Sequence, residues 1–143
     1  MRHAEKAADA EAPRDPPLSA AGAARARALA ERVSAVPLVA VYATPWRRTR
    51  ETATPAANAH GLAVRTEDPP EDAVTHAHAL RARHRDGTVL VVGHSNTVPP
   101  LVAALCGCAV PALGDADYGD LFVVEPDDAG DGAPRLRRER VGE

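Results

Sequence analysis

Aromatic side chains are nearly absent: the 143 residues include one tryptophan, two tyrosines and one phenylalanine, or 3%. A core must therefore be built from Ala, Val and Leu, which lowers the apolar area buried per residue and makes each large side chain hard to replace. Lysine is scarcer still, since Lys6 is the only one among 17 basic residues. No basic stripe with interleaved aromatics appears and the net charge is −3, so a nucleic-acid partner has no electrostatic footprint. The apolar runs are strand-length, well short of the roughly 20 residues that a membrane span requires, so no membrane partner is expected. The sequence opens without a basic segment leading into an apolar one, so no signal peptide is expected and the expected location is cytoplasmic. Cys106 and Cys108 stand two apart behind a predicted helix, a spacing that suits neither a disulfide framework nor a zinc knuckle; both read as buried small hydrophobes.

What is present is ordinary for a globular chain, with 45% hydrophobic and 26% charged residues, and the length suits one domain over residues 1–143. Ser19 caps an amphipathic helix that carries Gly22, Ala26, Leu29, Ala30 and Val33 and ends before Pro37. Leu38–Tyr42 is a β-type run. Thr44-Pro45 then reads as an N-cap followed by proline at the first helical position, which starts a second helix at Pro45, disturbed at Pro55 and closed at His60-Gly61. A short strand is expected from Leu62 to Arg65, and a third helix from Pro69-Pro70-Glu71 to the Asp86-Gly87 turn. Thr88–Val92 is apolar without alternation, as in a strand covered on both faces. An apolar helix follows from Pro99-Pro100 to Cys106, and two late strands, Leu121–Val124 and Arg135–Val141, are joined by an acidic turn from Asp127 to Gly132. Strands alternating with helices predict a three-layer α/β/α sandwich around a mostly parallel sheet.

Three separated motifs carry the chemistry. Arg2-His3-Ala4-Glu5-Lys6 opens the chain, Arg48-Thr49-Arg50-Glu51-Thr52-Ala53 begins the second helix, and Gly93-His94-Ser95-Asn96 closes the Thr88 strand. In open α/β sheets ligands sit at the carboxyl ends of the strands, where all three fall. Two histidines and two arginines are what phosphoryl transfer through a phosphohistidine needs: a nitrogen nucleophile, and fixed positive charge around the transferred group. Taken singly each has a duller reading, a hydrogen-bonded structural histidine or a solvated surface arginine. His76-x-His78 puts its two rings on different helix faces with no carboxylate pair to complete a metal set.

The three motifs, with Leu18-Ser19-x-x-Gly22 at the first helix, resemble the histidine phosphatase superfamily, which includes the phosphoglycerate mutases and the small phosphohistidine phosphatases. The resemblance implies a phosphoglycerate-mutase-like fold, His3 as nucleophile, and Arg2, Arg48 and His94 as the phosphate pocket. It implies a central strand leading into Arg-His, whereas here Met1 alone precedes Arg2, so that first strand is expected to be truncated and the natural product to begin upstream. Arg2 and Arg48 would fork onto the equatorial oxygens, and the Ser95 and Asn96 amides at a helix start would add donors. Lys6 is a substrate-facing candidate, Glu5 would orient Arg2 or His3 or lie at the surface, and Glu67 or Asp68 is the candidate general acid, with plain loop acids as the alternative. With arginines neutralising the phosphoryl charge no metal or other cofactor is required. The expected activity is a metal-independent phosphatase for a phosphorylated small molecule or a phosphohistidine protein; a mutase-type phosphotransferase and a phosphate-ligand binding module are the alternatives.

Overall fold

Parallel strands flanked by helices on both faces build the centre of the molecule. The computed structural model describes residues 1–8, 11–126 and 134–142. Strand β1 (Leu38–Ala43) lies between β2 (Val64–Thr66) and β3 (Thr88–Val92), parallel to both. Because side chains alternate along a strand, Val41 and Ala43 join Leu90 and Val92 on one face, packed against α1 (Ala20–Arg32) and α2 (Arg47–Ala59). Ala40 and Tyr42 face the other way, toward α3 (Ala73–Arg83) and α4 (Val98–Cys106). These are the three layers that the pattern predicts. Beyond them β4 (Asp120–Glu125) and β5 (Arg135–Arg140) pair antiparallel, and the acidic turn expected between them lies outside the described residues.

Alanine sets the spacing of the first layer. Ala26, Ala53, Ala56 and Ala57 are buried between α1 and α2, which lets the helix backbones approach closely in a chain with few large apolar residues. Gly22 takes this furthest: a Cβ there would lie 2.1 Å from the Glu5 carbonyl oxygen, so only glycine permits the first turn of α1 to back onto the opening motif. Ser19 caps α1 as expected, its Oγ accepting from the Gly22 N–H at 3.1 Å.

Met1 to His3 run beside the end of β3. The Met1 nitrogen donates to Val91 O at 2.8 Å, Gly93 N–H to Met1 O at 2.9 Å and His3 N–H to Gly93 O at 2.8 Å, and Arg2 pairs with Gly93 in parallel. This brief ladder stands where the resemblance expects a strand, and it delivers His3 to the same sheet edge as His94.

Several local expectations are corrected. Helix α2 begins at Arg47 rather than Pro45, because the Arg47 N–H is capped from a distant loop by Asp15 Oδ1 at 2.8 Å; Thr44 is thereby left out of the cap. The helix is continuous through Pro55. Helix α3 starts at Ala73 with Asp72 as its N-cap, accepting from the Thr75 N–H, and ends at Arg83, short of the Asp86-Gly87 turn. Cys106 and Cys108 form a disulfide instead of packing as separate small hydrophobes: Gly107, at φ 63, turns the chain back on itself behind α4 and brings their Cα atoms to 5.2 Å.

Candidate active site

The geometry grows from the Arg48 motif, whose residues each hold a different segment. Thr52 Oγ1 donates to Arg48 O at 2.7 Å and accepts from the Ala4 N–H at 2.9 Å, which fixes the residue after His3 to α2. Glu51 accepts from the Leu18 N–H at 3.0 Å, so the same helix turn secures the entry to α1. Thr49 and Thr52 are fully buried. Arg48 is the member left to face the site.

His3 is 5% exposed, and its Nδ1 lies 2.7 Å from the Ala4 carbonyl oxygen. A carbonyl can only accept, so Nδ1 carries the proton and Nε2 keeps its lone pair. Burial, together with the charges of Arg2, His94 and Arg48, lowers the pKa of His3 to about 4 against the pull of the Ala4 carbonyl. The ring is therefore neutral at pH 7.

His94 follows β3 with its ring centroid 5.6 Å from that of His3. Its Nε2 lies 2.9 Å from Thr44 Oγ1, which lies 2.7 Å from Thr49 Oγ1. Thr49 is within 3.0 Å of the Thr44 carbonyl and 2.9 Å of the Trp46 carbonyl, and donates to these acceptors. The Thr44 hydroxyl then donates to Thr49, and its oxygen is left to accept from His94 Nε2–H. Nδ1 is thus the free ring nitrogen. Burial first, then Arg48 and Arg2, lowers the His94 pKa to about 4.

Arg2 is 7% exposed. Its Nη1 donates to the carbonyls of Gly114 (3.0 Å), Asp115 (3.2 Å) and Asp117 (3.1 Å), and its guanidinium carbon lies 4.1 Å from the Tyr118 ring centroid. Arg2 Nε is buried without a hydrogen-bond partner. Arg48 has its guanidinium carbon 4.9 Å from the Trp46 centroid. The four residues thus form one electropositive cage with neutral rings between guanidinium groups, an arrangement that favours a tetrahedral oxyanion.

The other sequence candidates are dispersed. Glu5 binds Arg25 with both oxygens, at 2.8 and 3.1 Å, rather than Arg2 or His3; that bond holds its carboxyl below the usual range. Lys6 is exposed, its backbone bridged to Leu18. Ser95 and Asn96 line a cleft of about 240 Å³ beside the first turns of α4, with Pro99, Pro100 and Ala103. Glu67 follows β2, donates its N–H to Ala43 O at 3.1 Å and pairs its carboxylate with Arg83 at 2.8 Å; it lines a small cavity with Thr44, His76 and Gly93. Asp68 is exposed. Among the described residues no group of three His, Cys, Asp or Glu is placed to hold a metal ion, and no helix is long and apolar enough to cross a membrane. From the sequence, Asp115, Asp117, Tyr118 and Asp120 read either as lining of the site entrance or as solvated residues, and the structure puts the Tyr118 ring centroid 6.1 Å from that of His3. Thr44 reads from the sequence only as a helix cap and Thr49 only as part of the Arg48 motif.

Known proteins share the fold and the opening sequence. Residues 1–69 match the histidine phosphatase superfamily (branch 1). An uncharacterized protein of Mycobacterium tuberculosis, Rv0525, is 50% identical over 50 residues, 35% of this chain and 25% of its own length; the match spans about a quarter of that relative. The solved structure of the protein histidine phosphatase SixA complexed with tungstate superposes with a TM-score of 0.76 at 25% identity, covering 98% of this chain and 94% of that one. YhfR of Bacillus stearothermophilus gives 0.72 at 20% identity over 100% and 95%. With its motifs at the carboxyl ends of the strands and its fold shared along nearly the whole length of these structures, the chain is similar to the histidine phosphatase superfamily, whose model its residues 1–69 match.

Proposed function

We propose that this protein is a phosphatase that transfers the phosphoryl group of a phosphohistidine or phosphomonoester to His3 Nε2 and then to water. One observation carries the reading: His3 is locked by the Ala4 carbonyl in the tautomer that leaves Nε2 nucleophilic, between two arginines and a second neutral imidazole. In the first step the Nε2 lone pair attacks phosphorus in line and the bond from phosphorus to the leaving group breaks, the leaving atom taking a proton. Glu67, which follows β2 and lines a cavity with Thr44, is the candidate donor of that proton once it releases Arg83 and takes up a proton from solvent; the exposed Asp68 is the weaker choice. A phosphoramidate leaving nitrogen is basic and depends less on such an acid. In the second step water attacks phosphorus, the phosphorus–nitrogen bond breaks, His3 returns to its neutral tautomer, and the water proton passes to His94 Nδ1 and on to solvent. Arg2 Nε and the Arg48 fork supply the charge stabilisation for which kinases use magnesium.

The solved relative that shares 25% identity is described as a protein histidine phosphatase, which favours phosphohistidine on a protein as substrate. A turnover assay with an aryl phosphate and with a phosphohistidine peptide tests the proposal, alongside a denaturing gel after brief incubation with a labelled phosphodonor. Expected are inorganic phosphate released without a diphosphorylated primer, an acid-labile and alkali-stable label on the chain, and loss of both in His3→Ala by at least about 10⁴-fold in turnover. Turnover that survives His3→Ala overturns the reading. Dependence on a primer makes the protein a mutase.

A further inference from the structure

The sole tryptophan and one of the two tyrosines stand at the cage, and each carries a site guanidinium over its ring, Arg48 over Trp46 at 4.9 Å and Arg2 over Tyr118 at 4.1 Å. Trp46 is 41% exposed. In a chain so poor in aromatics, leaving the largest apolar side chain at the surface is not explained by burial. Helix capping does not explain it either, since the Arg47 N–H is taken by Asp15 and Trp46 makes no side-chain cap. What the indole does is cover one face of Arg48, for which no carboxylate or carbonyl partner is found among the described residues.

A carboxylate would fix a guanidinium more firmly, but it would occupy the in-plane donors and cancel the charge that an oxyanion needs. A ring face fixes the guanidinium plane and leaves every N–H donor free. Tyr118 likewise covers a face of Arg2, its hydroxyl also accepting from Nη2 at 3.5 Å and three loop carbonyls accepting from Nη1, and the buried Nε remains without a partner among the described residues. We propose that Trp46 and Tyr118 are positioning residues: they hold Arg48 and Arg2 in fixed planes without neutralising them, so that both arginines meet a bound tetrahedral oxyanion with their full charge. The inference rests on the phosphatase reading only in taking that oxyanion to be the transferred phosphoryl group; the platforms themselves require only that the cage binds one.

Tungstate is the probe, with affinity read by calorimetry and by the emission of the single tryptophan. An anion bound to Arg48 changes the electric field at the indole beneath it, so the emission of the intact protein changes on titration, and Arg48→Ala abolishes the change. Trp46→Leu and Tyr118→Leu each raise the tungstate Kd about two- to fivefold, whereas Trp46→Phe and Tyr118→Phe, which keep a ring, restore most of that loss. Because Trp46 is 41% exposed and lies outside the core clusters, its Leu variant keeps the melting temperature of the parent, which separates lost positioning from lost folding. Parent-like affinity in both Leu variants overturns the proposal, as does a parent protein that binds no tungstate. Tight tungstate binding without turnover of any phosphorylated substrate overturns the phosphatase reading and leaves the platforms standing.

Discussion

Arginines in two parts of this molecule are held in opposite ways. Along the β4–β5 hairpin the arginines reach carboxylates: Arg137 binds Glu125 at 3.0 Å and Glu139 at 3.2 Å, Arg138, which also lies 5.2 Å from the Phe122 ring centroid, and Arg140 share Asp120 at 3.1 and 3.2 Å, and Arg32 of α1 closes on Glu139 at 2.6 Å. At the cage Arg2 rests on carbonyls and a phenol ring, and Arg48 on an indole. The hairpin uses opposite charges to join elements. The cage assembles charge and declines to neutralise it, which raises the energy of the empty site and reserves its donors for an anion.

Removing a cage arginine breaks that contrast most severely. Arg48→Ala is expected to lower kcat/KM about 10²- to 10³-fold, as loss of a donor to developing charge does in other enzymes, without lowering the melting temperature, because Arg48 opposes protonation of both histidines and pairs with no carboxylate. Steady-state kinetics and thermal unfolding on one preparation check both halves. A variant that unfolds earlier yet keeps its turnover would place Arg48 with the hairpin arginines.

Acid separates the two regions along the pH axis. His3 and His94 titrate near 4 in the folded chain but near 6.5 once unfolded. Between those values the unfolded chain binds more protons, so stability is full above about pH 6.5 and falls as the pH drops toward 4. For the buried His3 the loss is on the order of 2 kcal/mol. Glu139 behaves otherwise: its bonds to Arg32 and Arg137 depress its carboxyl, so its contribution persists above the ordinary carboxylate range and is lost only as the pH falls below it. Denaturant melts at pH 7 and at pH 5 therefore leave the hairpin carboxylates out and read the cage histidines together with the Met1 amine, His76 and His84, whose pKa values burial also lowers. Tungstate should flatten that difference, since an anion favours the protonated imidazole, and the acid limb of kcat/KM should lie near pH 4 and not near 6.5.

The layered fold was legible because Leu38–Tyr42 and Thr88–Val92 are aliphatic runs without alternation, and a parallel strand between two helical layers has to be apolar on both faces. His94 and Arg48 were legible for a related reason, since each follows such a strand, and His3 was legible from its motif. Interactions that close over long sequence distances were not. Thr44-Pro45 satisfies the local rule for a helix start, but Asp15 takes over the cap and frees Thr44 for His94. The Cys106–Cys108 bond depends on a left-handed Gly107 that spacing alone does not reveal. Glu5 stands beside two site residues in sequence, yet it is drawn away by Arg25 of α1, which also binds the Val141 carbonyl. Tyr118 reaches His3 only because its loop is anchored on Arg2.

The hairpin offers the smallest effect. Arg32 and Glu139 meet in a two-pronged pair, but their side chains are 38% and 25% exposed, so water screens the attraction and ordering two long side chains offsets much of what remains. Arg32→Gln should cost less than about 1 kcal/mol of stability, a difference that 0.5 M salt, at roughly 4 to 5 Å of screening length, largely erases. Turnover should not move at all. Chemical denaturation of parent and variant at low and high salt measures this, and the sharper reading lies in the kinetics: a fall in kcat/KM in Arg32→Gln would mean that the hairpin transmits its charge pattern to the Tyr118 loop through Gly119, whose carbonyl accepts from the Val141 N–H, and the two arginine populations would then form one network.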